Sequence, residues 1–267
     1  MEIYTDLHNH VGKINNFPDF SKVISRAYNA LGNYGILGIA GFGNDDKRYE
    51  TFLSKKDRDF LTLGDNTAIV PLDGEGNKRI IVMRCQEVKT KQGEYLVVAP
   101  STYLKNDRPF QDSIREAKDS GGILIIPHFG IPRVGGGLGW FLESNPQILE
   151  KIIENFDGFE VYTSSAAIFP GANKKALSFY LEHNLGERKI GACSFTDSHT
   201  LNFGKSKTKI EIDHLLESPL VPELKRGIRN SRLENLIMEP SFIDPTIHAV
   251  EVVYSQVKER VGKIFGN

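Results

Sequence analysis

The chain has 267 residues, with 33 Lys and Arg against 34 Asp and Glu, so its formal net charge is −1. This balance gives no general support for binding a nucleic-acid backbone, which favours strongly basic surfaces. Its apolar runs are far shorter than the roughly 20 residues that span a bilayer, and no secretory leader pattern is recognisable. We therefore expect a soluble, cytoplasmic protein with no membrane partner and with nucleic acid disfavoured as a partner.

Strand-like apolar runs alternate with helical patterns along most of the chain, which is typical of βαβ units. A chain of this length with this alternation is compatible with one α/β barrel. The predicted strands are residues 3–8, 36–42, 80–88, 95–99, 123–128, 158–162 and 189–195. The predicted helices between them are residues 20–31, 47–55, 110–120, 147–155 and 174–183.

Beyond residue 205 the pattern changes to a short strand at 208–212, a helix at 221–229 and a long helix at 246–265. We expect residues 206–267 to form a C-terminal helical extension packed on a barrel of residues 1–205, within one structural domain.

Two pairs of ionisable side chains share the spacing i, i+2. His8 and His10 end the first predicted strand, and Asp197 and His199 end the last. Side chains at i and i+2 of a strand point to the same face, so each pair can reach one ion. Each pair alone also fits an ordinary strand end facing water.

Glu87 and His128 end two further predicted strands. The carboxyl ends of barrel strands surround a single site, and four of the seven His lie at such ends, whereas His183, His214 and His248 fall in helical patterns. Mixed imidazole and carboxylate donors suit Zn, Mn or Fe. The candidate donors exceed what one ion needs, so we expect two divalent ions, with Glu87 as the bridge, and hydrolytic chemistry. The predicted metal ligands are His8, His10, Glu87, His128, Asp197 and His199.

These segments resemble the motifs of the PHP (polymerase and histidinol phosphatase) family of metal-dependent phosphoesterases. The matching segments, in the family's order within residues 1–205, are Asp6-Leu7-His8-Asn9-His10, Gln86-Glu87-Val88, Pro127-His128 and Thr196-Asp197-Ser198-His199. The resemblance implies a distorted (β/α)7 TIM-like barrel with two or three divalent ions. It implies hydrolysis of a phosphate ester, and we expect the substrate to be a small phosphorylated molecule that a metal-bound hydroxide attacks. It also implies one ion held by His8, His10, Glu87 and Asp197, and a second reached by Glu87 and His128.

The sequence departs from the family at the second motif, where Gly43-Asn44-Asp45 replaces the usual Asp-His pair. The strand at 158–163 likewise has no His where family members often supply one. Asn44, Asp45 or Glu160 can supply oxygen ligands instead. His199 then has three alternative roles: ligand to one remaining ion, phosphate contact or general acid.

A glycine-rich loop follows His128 and is the candidate substrate-binding segment. Successive glycines let backbone N–H groups approach an anion, and an arginine can clamp a phosphate. Arg133, Gly135 and Gly136 are therefore predicted to bind the substrate, although a plain linker has the same composition. Trp140 and Phe141 either close over the substrate or anchor this loop in the surface.

Asp6 shares a face with His8, and either accepts a hydrogen bond from the His8 ring or pairs with the backbone. Asp197 and His199 are the predicted catalytic residues. Two other functions remain open. One is a degenerate family member that binds metal or phosphate without turnover, favoured by the altered second motif. The other is an amidohydrolase-type barrel, which also begins with His-x-His on its first strand.

Overall fold

A barrel-shaped sheet of eleven strands forms the centre of the protein. The computed structural model describes residues 1–11, 18–43, 46–55, 60–64, 66–73, 76–131, 138–145, 149–150, 153–213, 215 and 219–239. The strands are β1 (Glu2–Asp6), β2 (Gly35–Phe42), β3 (Leu61–Thr62), β4 (Thr67–Pro71), β5 (Arg79–Thr90), β6 (Gly93–Val98), β7 (Ile123–Ile126), β8 (Gly158–Thr163), β9 (Gly191–Phe195), β10 (Lys207–Glu211) and β11 (Leu236–Ile237).

Helices follow most of the barrel strands. Four of the five predicted helices lie close to their predicted bounds, and the fifth, at 147–155, is partly outside the described residues. The helices are α1 (Phe20–Leu31), α2 (Arg48–Ser54), α3 (Phe110–Asp119), α4 (Gly139–Ser144), α5 (Ala172–Glu182) and α6 (Leu220–Asn230), with 3-10 turns at Ser165–Ile168 and Leu233–Asn235.

The sheet order is β11-β10-β1-β2-β5-β6-β7-β8-β9, and β4 pairs with both β3 and β5. Strands β1, β2 and β5 are parallel neighbours, as are β7, β8 and β9. Between these groups β6 runs antiparallel to both β5 and β7. The two-residue turn between Thr90 and Gly93 explains this direction, because so short a connection joins only antiparallel strands. The predicted distorted α/β barrel is confirmed, with the predicted strand 95–99 reversed.

Helix α1 shows how the outer layer is built. Its buried side chains Phe20, Val23, Ile24, Ala27 and Leu31 recur with helical spacing and pack against the outside of the sheet. The carboxylate of Asp19 accepts a hydrogen bond from the N–H of Lys22 and caps the first turn.

The barrel interior is apolar and fully buried. Alternate residues of the strands, such as Ile36 and Ala40 in β2, point into it together with Leu96. The two free thiols, Cys85 and Cys193, lie in this cluster. Each large side chain here contributes roughly 1.5–3 kcal/mol through burial, which makes the barrel a rigid support for its rim.

The barrel closes at the carboxyl ends of β1 and β9. Asn9 and Ser198 form a parallel bridge, and the N–H of His10 donates to the carbonyl oxygen of Ser198 at 2.7 Å. This closure brings the first and last ionisable pairs of the sequence to the same rim.

No helix in the described part of the chain has the length and apolar character needed to cross a bilayer. Several predictions fall on residues that the structure does not describe: the helix at 246–265 with His248, His214, Asn44 and Asp45, and the loop residues Arg133, Gly135 and Gly136. Those predictions, like the boundary at residue 205 and the cytoplasmic location, stay predictions.

Candidate metal centre

The six predicted metal-binding side chains meet at the carboxyl rim of the barrel. Two follow β1, one lies in β5, one follows β7 and two follow β9. Their side chains are all nearly inaccessible to solvent. They are His8, His10, Glu87, His128, Asp197 and His199.

Four of these side chains have donor atoms at the spacing expected of neighbouring metal ligands. His8 Nε2 lies 3.6 Å from both Glu87 Oε1 and Asp197 Oδ1. His10 Nε2 lies 3.3 Å from Glu87 Oε2 and 3.6 Å from Asp197 Oδ1. A tetrahedral ion with bonds of about 2.1 Å sets its ligand atoms roughly 3.4 Å apart. The residues therefore fit a cation that takes mixed nitrogen and oxygen ligands.

The tautomer of His10 supports the same conclusion. Its Nδ1 lies 3.0 Å from the carbonyl oxygen of Ala40, which can only accept, so this nitrogen carries the proton. Burial lowers the pKa of His10 to about 3, so the ring is neutral. Its Nε2 lone pair consequently faces the carboxylates of Glu87 and Asp197, an arrangement that a bound cation stabilises.

His8 Nε2 also requires a positive charge. Among the described residues it has no hydrogen-bond partner, although it is completely buried. Burial lowers the pKa of His8, but the charges of Glu160 and Asp197 outweigh it and hold the pKa well above its ordinary value. A proton or a metal ion at Nε2 satisfies this demand.

A second group of donor atoms consists of His8, Glu87 and His128, all within 4.8 Å of one another. His128 Nε2 lies 2.7 Å from Glu87 Oε1. Burial lowers the pKa of His128, but the hydrogen bond to Glu87 and its charge raise it to about 9. Burial raises the pKa of Glu87, yet the neighbouring imidazoles of His10, His128 and His8 hold it well below its ordinary value. A second ion would replace the proton shared by Glu87 and His128.

Asp6 adopts the second of its two predicted alternatives. Its carboxylate accepts hydrogen bonds from the N–H of Thr196 at 3.0 Å, the hydroxyl of Thr196 at 2.6 Å and the N–H of Gly204 at 2.6 Å. Burial raises the pKa of Asp6 to about 6. Asp6 thus ties β1 to the segment after β9, and the group bonded to His8 Nδ1 is Glu160, at 2.8 Å.

Ser165 is a site residue that the sequence patterns did not indicate. Its hydroxyl donates to Asp197 Oδ2 at 2.5 Å, while Asp197 Oδ1 faces the histidines. Asp197 has a positive φ of 52°, which is uncommon outside glycine. The serine therefore fixes the orientation of an unusually placed carboxylate. No spacing signal links residue 165 to residue 197, because the contact exists only after β8 and β9 pair.

The end of β2, where the second motif diverges, supplies packing around His10. The Phe42 ring stacks on the His10 ring with centroids 4.0 Å apart. Arg48, which is almost fully buried, donates to the carbonyl oxygen of His10 at 3.0 Å and to Asp46 at 2.7 Å. These contacts hold His10 from the side where the family resemblance implied further metal ligands.

Phe141 is the neighbour of Trp140 in α4, and it packs against the hydrophobic cluster that contains Phe110, with the two ring centroids 6.2 Å apart. This contact favours the alternative in which the segment is anchored in the surface.

Two lysines that follow His199 in the chain have partners of their own. Lys205 forms an ion pair with Glu239, and the ammonium of Lys207 donates a hydrogen bond to the carbonyl oxygen of Ala30 at 2.5 Å.

Comparisons with known proteins point to one fold. No family model matches the chain, and no curated protein matches it in sequence. Its structure is similar to that of the lesion-specific endonuclease PfuEndoQ from Pyrococcus furiosus, with a TM-score of 0.54, 14% identity, and coverage of 87% of this chain and 57% of that one. The structure of Endonuclease Q in complex with a 27-mer duplex substrate is similar with a TM-score of 0.55 and 14% identity, and the match covers 87% of this chain and 58% of that one. The structure of PsfC from Pseudomonas syringae PB-5123 is similar with a TM-score of 0.59 and 12% identity, and the match covers 96% of this chain and 98% of that one.

At these identities the similarity shows the fold, while membership of the PHP family stays a prediction. The chain spans less than three fifths of the Endonuclease Q chains.

The prediction of a small phosphorylated substrate, with nucleic acid disfavoured, is wrong. Endonuclease Q, which shares the fold, was crystallised with a 27-mer duplex substrate that has an abasic lesion at the active site. The physical reason for the error is that net charge averages over the whole surface, whereas a cleft is governed by its local potential.

Proposed function

We propose that this chain is a metal-dependent hydrolase that cleaves a phosphodiester bond in a nucleic acid. The observation that carries the proposal is a buried set of two histidines and two carboxylates whose imidazole-to-carboxylate distances are 3.3–3.6 Å. The set stands at the rim of a barrel whose fold is shared with Endonuclease Q.

The ligands would divide between two divalent ions of the Zn, Mn or Fe type. His8, His10 and Asp197 would hold the first, His128 would reach the second, and Glu87 would bridge them. Bound there, such ions polarise phosphoryl oxygens and lower the pKa of water.

The chain's own residues supply the remaining functions. His199 Nε2 lies 3.6 Å from Asp197 Oδ1 at the same rim, and we propose that its ring gives a proton to the leaving oxygen as a general acid. Arg133, Gly135 and Gly136, which follow His128 in the chain, are proposed to bind the phosphate backbone.

The test uses the full chain, stripped of metal with a chelator and then loaded separately with Mn²⁺, Zn²⁺ or Fe²⁺. Each form is incubated with single-stranded and duplex oligonucleotides, undamaged or with one abasic site, and the products are separated by length. We expect metal-dependent strand cleavage, with a loss of at least roughly 100-fold in Asp197→Asn.

Binding of these oligonucleotides without cleavage under every metal condition would contradict the proposal and favour a binding protein without turnover. Equal cleavage by the wild type and Asp197→Asn would show contamination by another nuclease and would also count against it.

A further inference from the structure

Glu160 lies in the middle of β8 and is completely buried beside the metal centre. Both of its carboxylate oxygens already have protein partners. His8 Nδ1 lies 2.8 Å from Oε1. The N–H of His128 donates to Oε2 at 2.9 Å, and the hydroxyl of Thr163 donates to the same oxygen at 2.7 Å.

We propose that Glu160 is a positioning residue that orients two metal ligands, His8 and His128, and is not itself a ligand. The inference rests on the proposed metal site. A carboxylate that accepts from Nδ1–H fixes the imidazole tautomer, so Nε2 is the nitrogen left to bind an ion, and it makes that nitrogen more basic.

The contact with His128 is made through the backbone and has a separate consequence. His128 has a positive φ of 26°, a conformation that non-glycine residues rarely adopt. Such a conformation persists only where surrounding contacts fix it, and the hydrogen bond to Glu160 Oε2 is one of them. One carboxylate thus connects the ends of β1 and β7 and sets the separation of two ligands.

Three roles for Glu160 make different predictions about metal binding. A ligand would be needed for the full number of bound ions. A residue that only fills space would be replaced by the isosteric glutamine without effect. A positioning carboxylate leaves the number of ions intact but lowers affinity, because glutamine keeps the shape and loses the charge.

The experiment measures Zn²⁺ affinity and stoichiometry of the full chain by competition with a chelating dye. We expect Glu160→Gln to bind Zn²⁺ roughly 10- to 100-fold more weakly at unchanged stoichiometry. Glu182→Gln, which removes an exposed carboxylate at the C-terminal end of α5, is the control and should change the affinity less than about threefold. A second readout, the two-bond ¹⁵N–¹H spectrum of the Zn²⁺-loaded protein, should show an Nδ1 proton on His8 that exchanges slowly with water in the wild type and faster in Glu160→Gln.

Fewer bound ions in Glu160→Gln would make Glu160 a ligand and overturn the inference, and so would wild-type affinity. If Glu160→Gln does not fold, Thr163→Val removes one of the donors that fix Oε2. It should lower affinity in the same direction by a smaller factor, and wild-type affinity in that variant would overturn the inference equally. Because each readout is metal or proton binding, the result is independent of whether the chain cleaves nucleic acid.

Discussion

At the scale of single residues, the carboxylates around the barrel rim differ in the partners that they find. Glu87 faces three histidines, and its pKa is held far down despite burial. Glu94 lies on β6, which pairs with β5. Burial and the charge of Glu87 raise the pKa of Glu94 from 4.5 to about 7. The folded protein therefore holds a proton on Glu94 more strongly than the unfolded chain does, and its stability falls as pH rises from about 4.5 to 7.

Glu94→Gln removes this titration. The variant is expected to be more stable than the wild type at pH 8, by roughly 3 kcal/mol, with the gain shrinking to below about 1 kcal/mol at pH 5. Urea unfolding of the metal-free proteins at both pH values measures the difference. Glu182→Gln, at the exposed end of α5, is the control and should show no pH-dependent gain. A gain in stability of Glu94→Gln that grows toward low pH would contradict a raised pKa for Glu94.

Ser165→Ala tests the group that orients Asp197. Loss of a hydrogen bond to a ligating carboxylate is expected to weaken metal binding about 10-fold, because Asp197 Oδ2 loses its donor. Ser164→Ala is the matched control, since the Ser164 hydroxyl bonds to Ser206 and to the carbonyl oxygen of Glu239. Dye competition with Zn²⁺ on both variants gives the comparison, and equal affinities would refute the role of Ser165.

These residues also show which contacts of the site can be predicted from sequence patterns. The pairs His8 and His10, Asp197 and His199 are visible because a strand puts i and i+2 on one face. The contact between Glu160 and His8 joins residues that are 152 positions apart in the sequence. Which atom Glu160 contacts depends on how β8 packs in the barrel. A charged residue within an apolar strand run was the only available signal, and it indicated Glu160 as an oxygen ligand to the metal.

At the scale of elements, strand and helix positions follow from local periodicity, whereas strand direction depended on turn length. The segment at 95–99 has the composition of a barrel strand, and only the two-residue connection after Thr90 reverses it. Close contacts between the backbones of two elements also cannot be predicted from local periodicity. Gly191 begins β9, where a Cβ would lie 1.6 Å from the carbonyl oxygen of Ile228 near the end of α6.

Gly191→Ala is therefore expected to destabilise the fold by about 2–3 kcal/mol, since backbone atoms of β9 and α6 must separate. Gly121→Ala is the comparison: its φ is +72°, but nothing lies within 4 Å of the added carbon. That substitution should cost only about 1 kcal/mol of backbone strain. Urea midpoints rank the two, and a smaller loss at Gly191 than at Gly121 would show that the two elements do not approach as closely as described.

At the scale of the whole molecule, net charge was a poor guide to partners, while the closure of the barrel explains why the rim forms one site. The bridge between Asn9 and Ser198 joins the first and last strands next to their ionisable ends. Ligands contributed by distant parts of the chain are then held together by the global fold. Metal binding and folding should accordingly be coupled, because the unfolded chain offers no such arrangement.

Removal of metal is expected to lower the thermal midpoint of the whole chain. An ion present at about 100 times its Kd stabilises the folded state by about 2.7 kcal/mol, which corresponds to roughly 5 °C or more for a domain of this size. Zn²⁺ or Mn²⁺ should restore the midpoint after chelation, whereas Mg²⁺ at the same free concentration should not, because His8, His10 and His128 supply nitrogen donors. In Asp197→Asn the metal-dependent rise should shrink, since the first ion loses a carboxylate. A midpoint indifferent to chelation, or full recovery with Mg²⁺, would contradict the assignment of this rim as a mixed nitrogen and oxygen metal centre.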